Sequence, residues 1–168
     1  IAQNSGRHTG LVKAASAAGV WSLILTQTAS ASATIDFTSG LDSTYDEYVF
    51  KFINIHPSAS ANFTFQANAA GGSGYNETIT SSFFISSHAE GDTSASVGYN
   101  TDNDQAQGTG FQRIGVVGTD NDSCTSGVLH LFNPSSTTFV KHFIAKMNHL
   151  GNAARQISTF TAGYFNTT

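Results

Sequence analysis

Residues 126–147, SGVLHLFNPSSTTFVKHFIAKM, contain two apolar segments on either side of a turn. We predict strands at Ser126–Phe132 and Thr137–Met147, because β-branched and aromatic residues are frequent in both and the Asn-Pro-Ser-Ser sequence between them favours a turn. Further strands are predicted before and after this pair, at Phe111–Val117 and Gln156–Phe165. These four segments indicate an antiparallel β structure.

The amino-terminal half continues this pattern. Alternating apolar and polar residues predict strands at Trp21–Leu25, with Trp21 in the core, and at Ala33–Phe37. Tyr45–His56 has apolar residues on both faces, which is typical of a central strand. Weaker strands are predicted around 63–65 and over 75–84, and the polar residues 86–110 are predicted to be exposed loops with at most one short strand.

The predicted fold class is all-β, an antiparallel β-sandwich or jelly roll. No segment has the periodicity of a substantial helix, and about nine short strands are separated by Gly, Asn and Ser turns. In the last strand Phe160, Ala162 and Tyr164 share one face. We predict an extended amino-terminal arm at residues 1–19 and a single β-sandwich domain at residues 20–168.

The composition excludes several classes of function. The 168 residues include 7 Lys and Arg against 11 Asp and Glu, for a net charge of -4, so we expect the hydroxyls of Ser and Thr and the amides of Asn to supply most of the polar surface. No basic run is present, so we expect no nucleic-acid partner. No apolar run approaches the roughly 18 residues of a membrane span, so we expect no membrane association. Cys124 is the single cysteine, which excludes an intrachain disulfide.

Paired carboxylates in predicted loops are the best candidates for metal ligands. The tetrapeptide Thr-Asp-Asn-Asp occurs twice and places Asp102 and Asp104 in one loop and Asp120 and Asp122 in another. Oxygen ligands at alternate positions suit Ca²⁺, whereas Asp and Asn are also the usual residues of turns. We favour turns, with weak Ca²⁺ sites as the alternative, and predict no cofactor.

The sequence contains no recognisable catalytic arrangement. No Gly-x-Ser-x-Gly elbow is present, and the histidines are scattered, so we predict no catalytic residues and no enzyme activity. His142 and His149 flank a predicted turn, and a zinc ion shared between them is less favoured than two structural or solvent-facing histidines.

Two long segments carry a resemblance to a known family. Trp21–Gly72, WSLILTQTASASATIDFTSGLDSTYDEYVFKFINIHPSASANFTFQANAAGG, and Thr125–Leu150, TSGVLHLFNPSSTTFVKHFIAKMNHL, resemble structural virion proteins of tailed phages, especially marine and cyanobacterial ones. The resemblance covers roughly residues 21–168. It implies a non-enzymatic component of the particle surface, such as a capsid decoration protein or a fibre module.

The partners implied by this resemblance are other virion proteins. Such proteins assemble by symmetry, often as trimers, so a homo-oligomer is expected. We expect the arm to dock on a neighbouring subunit, with Arg7, Leu11 and Lys13 as interface candidates; the alternative is a disordered arm.

A receptor-binding or glycan-binding module of a tail fibre is the second hypothesis. Residues 86–110 would then contact a host-surface glycan, and Tyr75, Tyr99 and Tyr164 are candidates for stacking on a sugar. An enzyme that acts on a polysaccharide through Glu90 or Asp120 is the third and least supported possibility.

Overall fold

The computed structural model describes residues 21–151 and 154–167. This part of the chain contains no helix, and its strand pairs are antiparallel, which confirms the all-β prediction. The strands are β1 (Glu47–Ile55), β2 (Ala61–Phe65), β3 (Ile79–Ala89), β4 (Ala95–Tyr99), β5 (Ala106–Gly108), β6 (Gln112–Val117), β7 (Thr125–Phe132), β8 (Lys141–Gly151) and β9 (Arg155–Phe165).

The strands form two sheets that pack together as a β-sandwich. In the large sheet the order is β1-β7-β8-β9-β3-β4, and β5 pairs with the first residues of β3. β2 and β6 form a two-stranded sheet, and β6 lies across β8 and β9. We call the face of the large sheet that meets β2 and β6 the inner face and the opposite one the outer face.

Alternation along β8 shows how the sequence builds these two faces. Phe143, Ala145 and Met147 are buried on the inner face, whereas Lys146 and Asn148 are exposed on the outer face. Residues paired across an antiparallel sheet point to the same side, so this division extends through the register to the neighbouring strands.

Aromatic rings fill the space between the sheets. Phe65 of β2 packs edge-on against Phe143 and Phe165, with ring centroids 4.9 and 5.8 Å apart, and Phe63 packs against Phe52 at 4.9 Å. Such edge-to-face pairs add about 0.5–1.5 kcal/mol each to the stabilisation from burial. The predicted strand around Phe63 and Phe65 therefore supplies the second layer of the core.

Two buried polar side chains at the ends of the core, Lys141 and Gln112, are held by hydrogen bonds. Lys141 is 9% exposed, and its Nζ donates to the carbonyl oxygens of Ser136 at 2.5 Å and Thr167 at 2.7 Å. Gln112 is fully buried; its Nε2 donates to the Asn103 carbonyl at 2.8 Å, and its Oε1 accepts from Ser81 at 2.6 Å. These bonds compensate for the loss of hydration.

The strands predicted at Trp21–Leu25 and Ala33–Phe37 are not formed. Residues 21–46 contain no strand, and Trp21 is 65% exposed rather than part of the core. The segment packs beside β1, where Phe37 contacts the Phe50 ring at 5.3 Å and the Lys51 ammonium lies 5.0 Å from the Trp21 ring centroid. Alternation alone does not make a strand, since a strand also needs a hydrogen-bonded neighbour.

The prediction of a central strand at Tyr45–His56 is also wrong. β1 lies at one edge of the large sheet and pairs with β7. Phe50 and Phe52 pack into the core, but Ile53 is 72% exposed, so the apolar residues on both faces do not reflect burial on both faces.

Residues 86–110 contain more regular structure than predicted. β3 extends to Ala89, and β4 and β5 follow within the stretch that was expected to be mainly loops. The predicted arm, with Arg7, Leu11 and Lys13, lies outside the described residues.

Candidate binding groove on the outer sheet face

A row of side chains crosses the outer face from one edge of the large sheet to the other. The register pairs each member with the next across six successive strands. We call this set the aromatic row: Lys51, Val128, Lys146, Phe160, Phe84 and Tyr99.

Aromatic and cationic groups in this row contact one another. Phe84 packs edge-on against Tyr99 with ring centroids 5.1 Å apart and lies 6.4 Å from Phe160. The Lys146 ammonium lies 5.9 Å from the Phe160 centroid, within the range of a cation–π interaction. Phe84 remains 42% exposed and Tyr99 47% exposed, so the row presents ring surface to solvent.

A second row, two residues further along each strand, carries short polar side chains. This hydroxyl row comprises Ser126, Asn148, Ser158 and Ser86, which are paired in that order. Ser158 Oγ accepts hydrogen bonds from Asn148 Nδ2 at 3.1 Å and Gln156 Nε2 at 2.7 Å. Because the oxygen accepts twice, the Ser158 hydroxyl proton can be donated to a ligand.

The difference in side-chain length between the two rows produces a groove. Its volume is about 490 Å³, and side chains of both rows line it together with Val97 of β4. The short serines form the floor, and Phe84 and Phe160 form one wall. Lys146 is the charged residue in the lining, and in the described part of the chain it forms no ion pair.

A second, more polar depression of about 370 Å³ lies beside the first residues of β6 and contains Asp102 and Asp104. Arg113 Nη1 donates to Asn103 Oδ1 at 2.7 Å, and burial lowers the pKa of Arg113. The Tyr99 hydroxyl donates to Asp104, and this hydrogen bond is the main cause of the raised pKa of Tyr99. The depression therefore adjoins the end of the aromatic row.

The two predicted calcium loops are not brought together. Asp102 and Asp104 precede β6, whereas Asp120 and Asp122 follow its other end, in a turn where the Ser123 amide donates to the Asp120 carbonyl at 2.8 Å. Over residues 21–151 and 154–167, no group of three or more His, Cys, Asp or Glu side chains is placed to hold a metal ion. The calcium hypothesis stays a prediction.

The histidines are separated by the two faces of the sheet. His142 is exposed on the outer face and packs edge-on against Tyr164 at 5.8 Å, whereas His149 is buried on the inner face, 2% exposed. The two cannot share a zinc ion in this fold. Among the described residues, neither ring nitrogen of His149 has a hydrogen-bond partner, and burial, together with the charge of Arg113, lowers its pKa to about 4.

The tyrosines predicted for glycan stacking do not form one surface. Tyr99 and Tyr164 lie on the outer face, but Tyr75 packs near Phe111, 6.4 Å between centroids, away from the groove. The sequence did not single out Lys146 or Asn148. The shared face of Phe160, Ala162 and Tyr164 was predicted correctly and was the available signal.

Comparison with known proteins identifies no relative: no protein-family model, curated protein or solved structure matches the chain. Among the described residues there is also no helix of the length and apolarity needed to cross a membrane.

Proposed function

We propose that this chain is a non-enzymatic structural subunit at the surface of a bacteriophage particle, held in place by contacts with neighbouring subunits. The observation that supports this most strongly is the run Trp21–Leu25. Trp21, Leu23, Ile24 and Leu25 are 65, 82, 46 and 40% exposed. These four exposed apolar side chains are close together in the sequence, and clustered exposed apolar groups mark interaction sites, so we infer that another subunit covers them.

The resemblance to tailed-phage virion proteins agrees with this inference. The first of the two resembling segments, Trp21–Gly72, begins with the exposed run itself. A virion subunit buries such a run on assembly, which would explain why these side chains remain largely exposed in the described chain.

The two edges of the large sheet offer further contact surfaces. β1 and β4 are the terminal strands, and every residue of β4 is exposed. Ile53 on β1 and Val97 on β4 are 72 and 81% exposed. The unpaired backbone N–H and C=O groups of an edge strand can bind another chain, and in a ring of symmetry-related copies the edges of neighbouring copies pair with each other.

The assembly state of the purified chain tests the contact. We expect native mass spectrometry and sedimentation to show an oligomer that Leu23→Asp dissociates, because the new carboxylate would be buried in the interface. Thr28→Asp is the matched control, since it adds the same charge at an exposed position of the same segment. A monomer at all concentrations, or equal effects of both variants, contradicts the proposal.

The particle location requires a separate experiment. Antibodies raised against the chain should label purified particles of the encoding phage in immunogold electron microscopy. Absence of label on particles, with the protein abundant in the infected-cell lysate, would overturn the virion role even if the chain is oligomeric.

A further inference from the structure

Beyond this structural role, we propose that the groove on the outer face binds a saccharide that carries a carboxylate. The sugar ring packs on Phe84 and Phe160, Lys146 pairs with the carboxylate, and Asn148 and Ser158 bond the sugar hydroxyls.

Charge selects an anionic ligand. The protein as a whole carries a net charge of -4, yet Lys146 is the one charged side chain in the lining of the groove, and no carboxylate lines it. Contact with Phe160 holds the ammonium beside the aromatic wall. A ligand carboxylate that enters here therefore gains a charge-assisted hydrogen bond and breaks no existing ion pair of the described residues.

The aromatic wall selects a ring with an apolar face. Phe84 and Phe160 occupy paired positions on adjacent strands, about 4.8 Å apart in the hydrogen-bonding direction. A pyranose presents a flat patch of C–H groups and can cover such a pair, as in other ligand sites where apolar walls carry a few oriented polar groups. The exposed ring of Phe84 provides the open end of this surface.

The hydroxyl row lies at the correct spacing for the sugar hydroxyls. It is displaced from the aromatic row by two residues along each strand, about 6.6 Å. Ser158 already accepts from Asn148 and Gln156, so its proton is available to a ligand oxygen, and Asn148 Oδ1 can accept from a sugar hydroxyl. Both rows therefore contact a single sugar from different sides.

A second copy of the chain is a poorer occupant of the groove. Face-to-face packing about a two-fold axis would bring the same surface of each copy together, including Lys146. With no carboxylate in the lining, the two ammonium groups would be desolvated without partners.

The test uses the full chain and measures binding by isothermal titration calorimetry and ligand-observed NMR. The probes are trigalacturonate, 3′-sialyllactose and the neutral sugars galactotriose and lactose. The first two separate a chain of uronic acids from a terminal sialic acid as the source of the carboxylate. We expect at least one acidic sugar to bind more tightly than its neutral counterpart.

The variants assign this binding to the groove. Lys146→Met should weaken binding of the acidic sugar about five- to tenfold and leave the affinity for the neutral sugar unchanged. Phe84→Ala should weaken binding of both sugars. Lys51→Met is the matched control, because Lys51 lies in the same row but outside the groove, beside Trp21. Both lysines are exposed, so unchanged circular dichroism spectra should confirm folding of these variants.

Three results would overturn the proposal. The first is that neither acidic sugar binds, and the second is that acidic and neutral sugars bind equally well. The third is that Lys146→Met and Lys51→Met lose the same affinity for the acidic sugar, which would indicate general electrostatic attraction. Loss of the subunit assembly in Phe84→Ala, without any sugar binding by the parent chain, would instead assign this face to a second copy.

Discussion

Phe83 and Phe84 are neighbours in β3 with identical side chains, but they lie on opposite faces of the large sheet. Phe83 is fully buried on the inner face, whereas Phe84 is 42% exposed on the outer face. The difference comes from the small sheet of β2 and β6, which covers one face in the described structure and leaves the other open. Residue type alone therefore does not determine which aromatic residues stabilise the fold and which remain available for binding.

Truncation of the two phenylalanines should separate these roles most clearly. Phe83→Ala removes a fully buried ring, and we expect a loss of about 3–5 kcal/mol in the free energy of unfolding. Phe84→Ala should cost about 1 kcal/mol, because the ring is half exposed and contacts mainly other outer-face rings. Urea denaturation of the two variants measures both values, and equal losses would show that the outer face is covered in solution.

Acidification should lower the stability of the folded chain, because His149 is buried on the inner face. Its pKa is lowered from 6.5 to about 4 in the folded chain. As the pH falls below 6.5, the unfolded chain binds a proton that the folded chain excludes, so stability is lost between these two values. The loss reaches up to about 3 kcal/mol.

Urea titrations across this pH interval test the assignment. His149→Met should remove most of the pH dependence, and His142→Gln on the outer face should retain it. A parent chain whose stability is constant over the interval would contradict the exclusion of a proton from His149.

Added methyl groups should distinguish the packed centre from the open edge. A Cβ at Gly163 would lie 2.4 Å from the Thr80 carbonyl oxygen and 2.8 Å from the Phe143 ring, whereas a Cβ at Gly98 of β4 meets nothing within 4 Å. We expect Gly163→Ala to cost about 1–3 kcal/mol. Gly98→Ala should change the melting temperature little, and a comparable loss there would indicate that the β4 edge is packed in solution.

Calcium should have the smallest effect, because its candidate ligands lie in separate loops at opposite ends of β6, and no three potential ligands of the described residues come together. We expect excess Ca²⁺ to leave the melting temperature unchanged. A rise abolished by Asp102→Asn but not by Asp120→Asn would instead establish a site in the first loop, since a ligand that binds the folded state raises its stability.

The sequence predicts three of the four carboxyl-terminal strands well, whereas β8 spans Lys141–Gly151 instead of the predicted Thr137–Met147. β6, β7 and β9 begin within one residue of the predicted positions and end where predicted. Their runs of apolar and β-branched residues have turn formers on both sides, so local chemistry decides their limits. The shared face of Phe160, Ala162 and Tyr164 follows from the same two-residue period.

Pairing between strands could not be predicted in this way. Trp21–Leu25 alternates as a strand does but has no strand partner in the structure, and β1 has apolar residues on both faces although it lies at an edge. The groove depends on the register of β7, β8, β9, β3 and β4, which sequence alternation does not encode. Alternation distinguishes two faces and does not show which one will be covered.

The buried ammonium of Lys141 has a consequence for chemical labelling. Its Nζ donates to the carbonyl oxygen of Ser136, in the loop before β8, and to that of Thr167, just after the end of β9. An amine-reactive reagent should acylate the exposed Lys51 and Lys146 directly, whereas it reaches Lys141 only when the end of β9 separates from the loop before β8. The acylation rate at Lys141 is thus an intrinsic reporter of local opening at this end of the molecule.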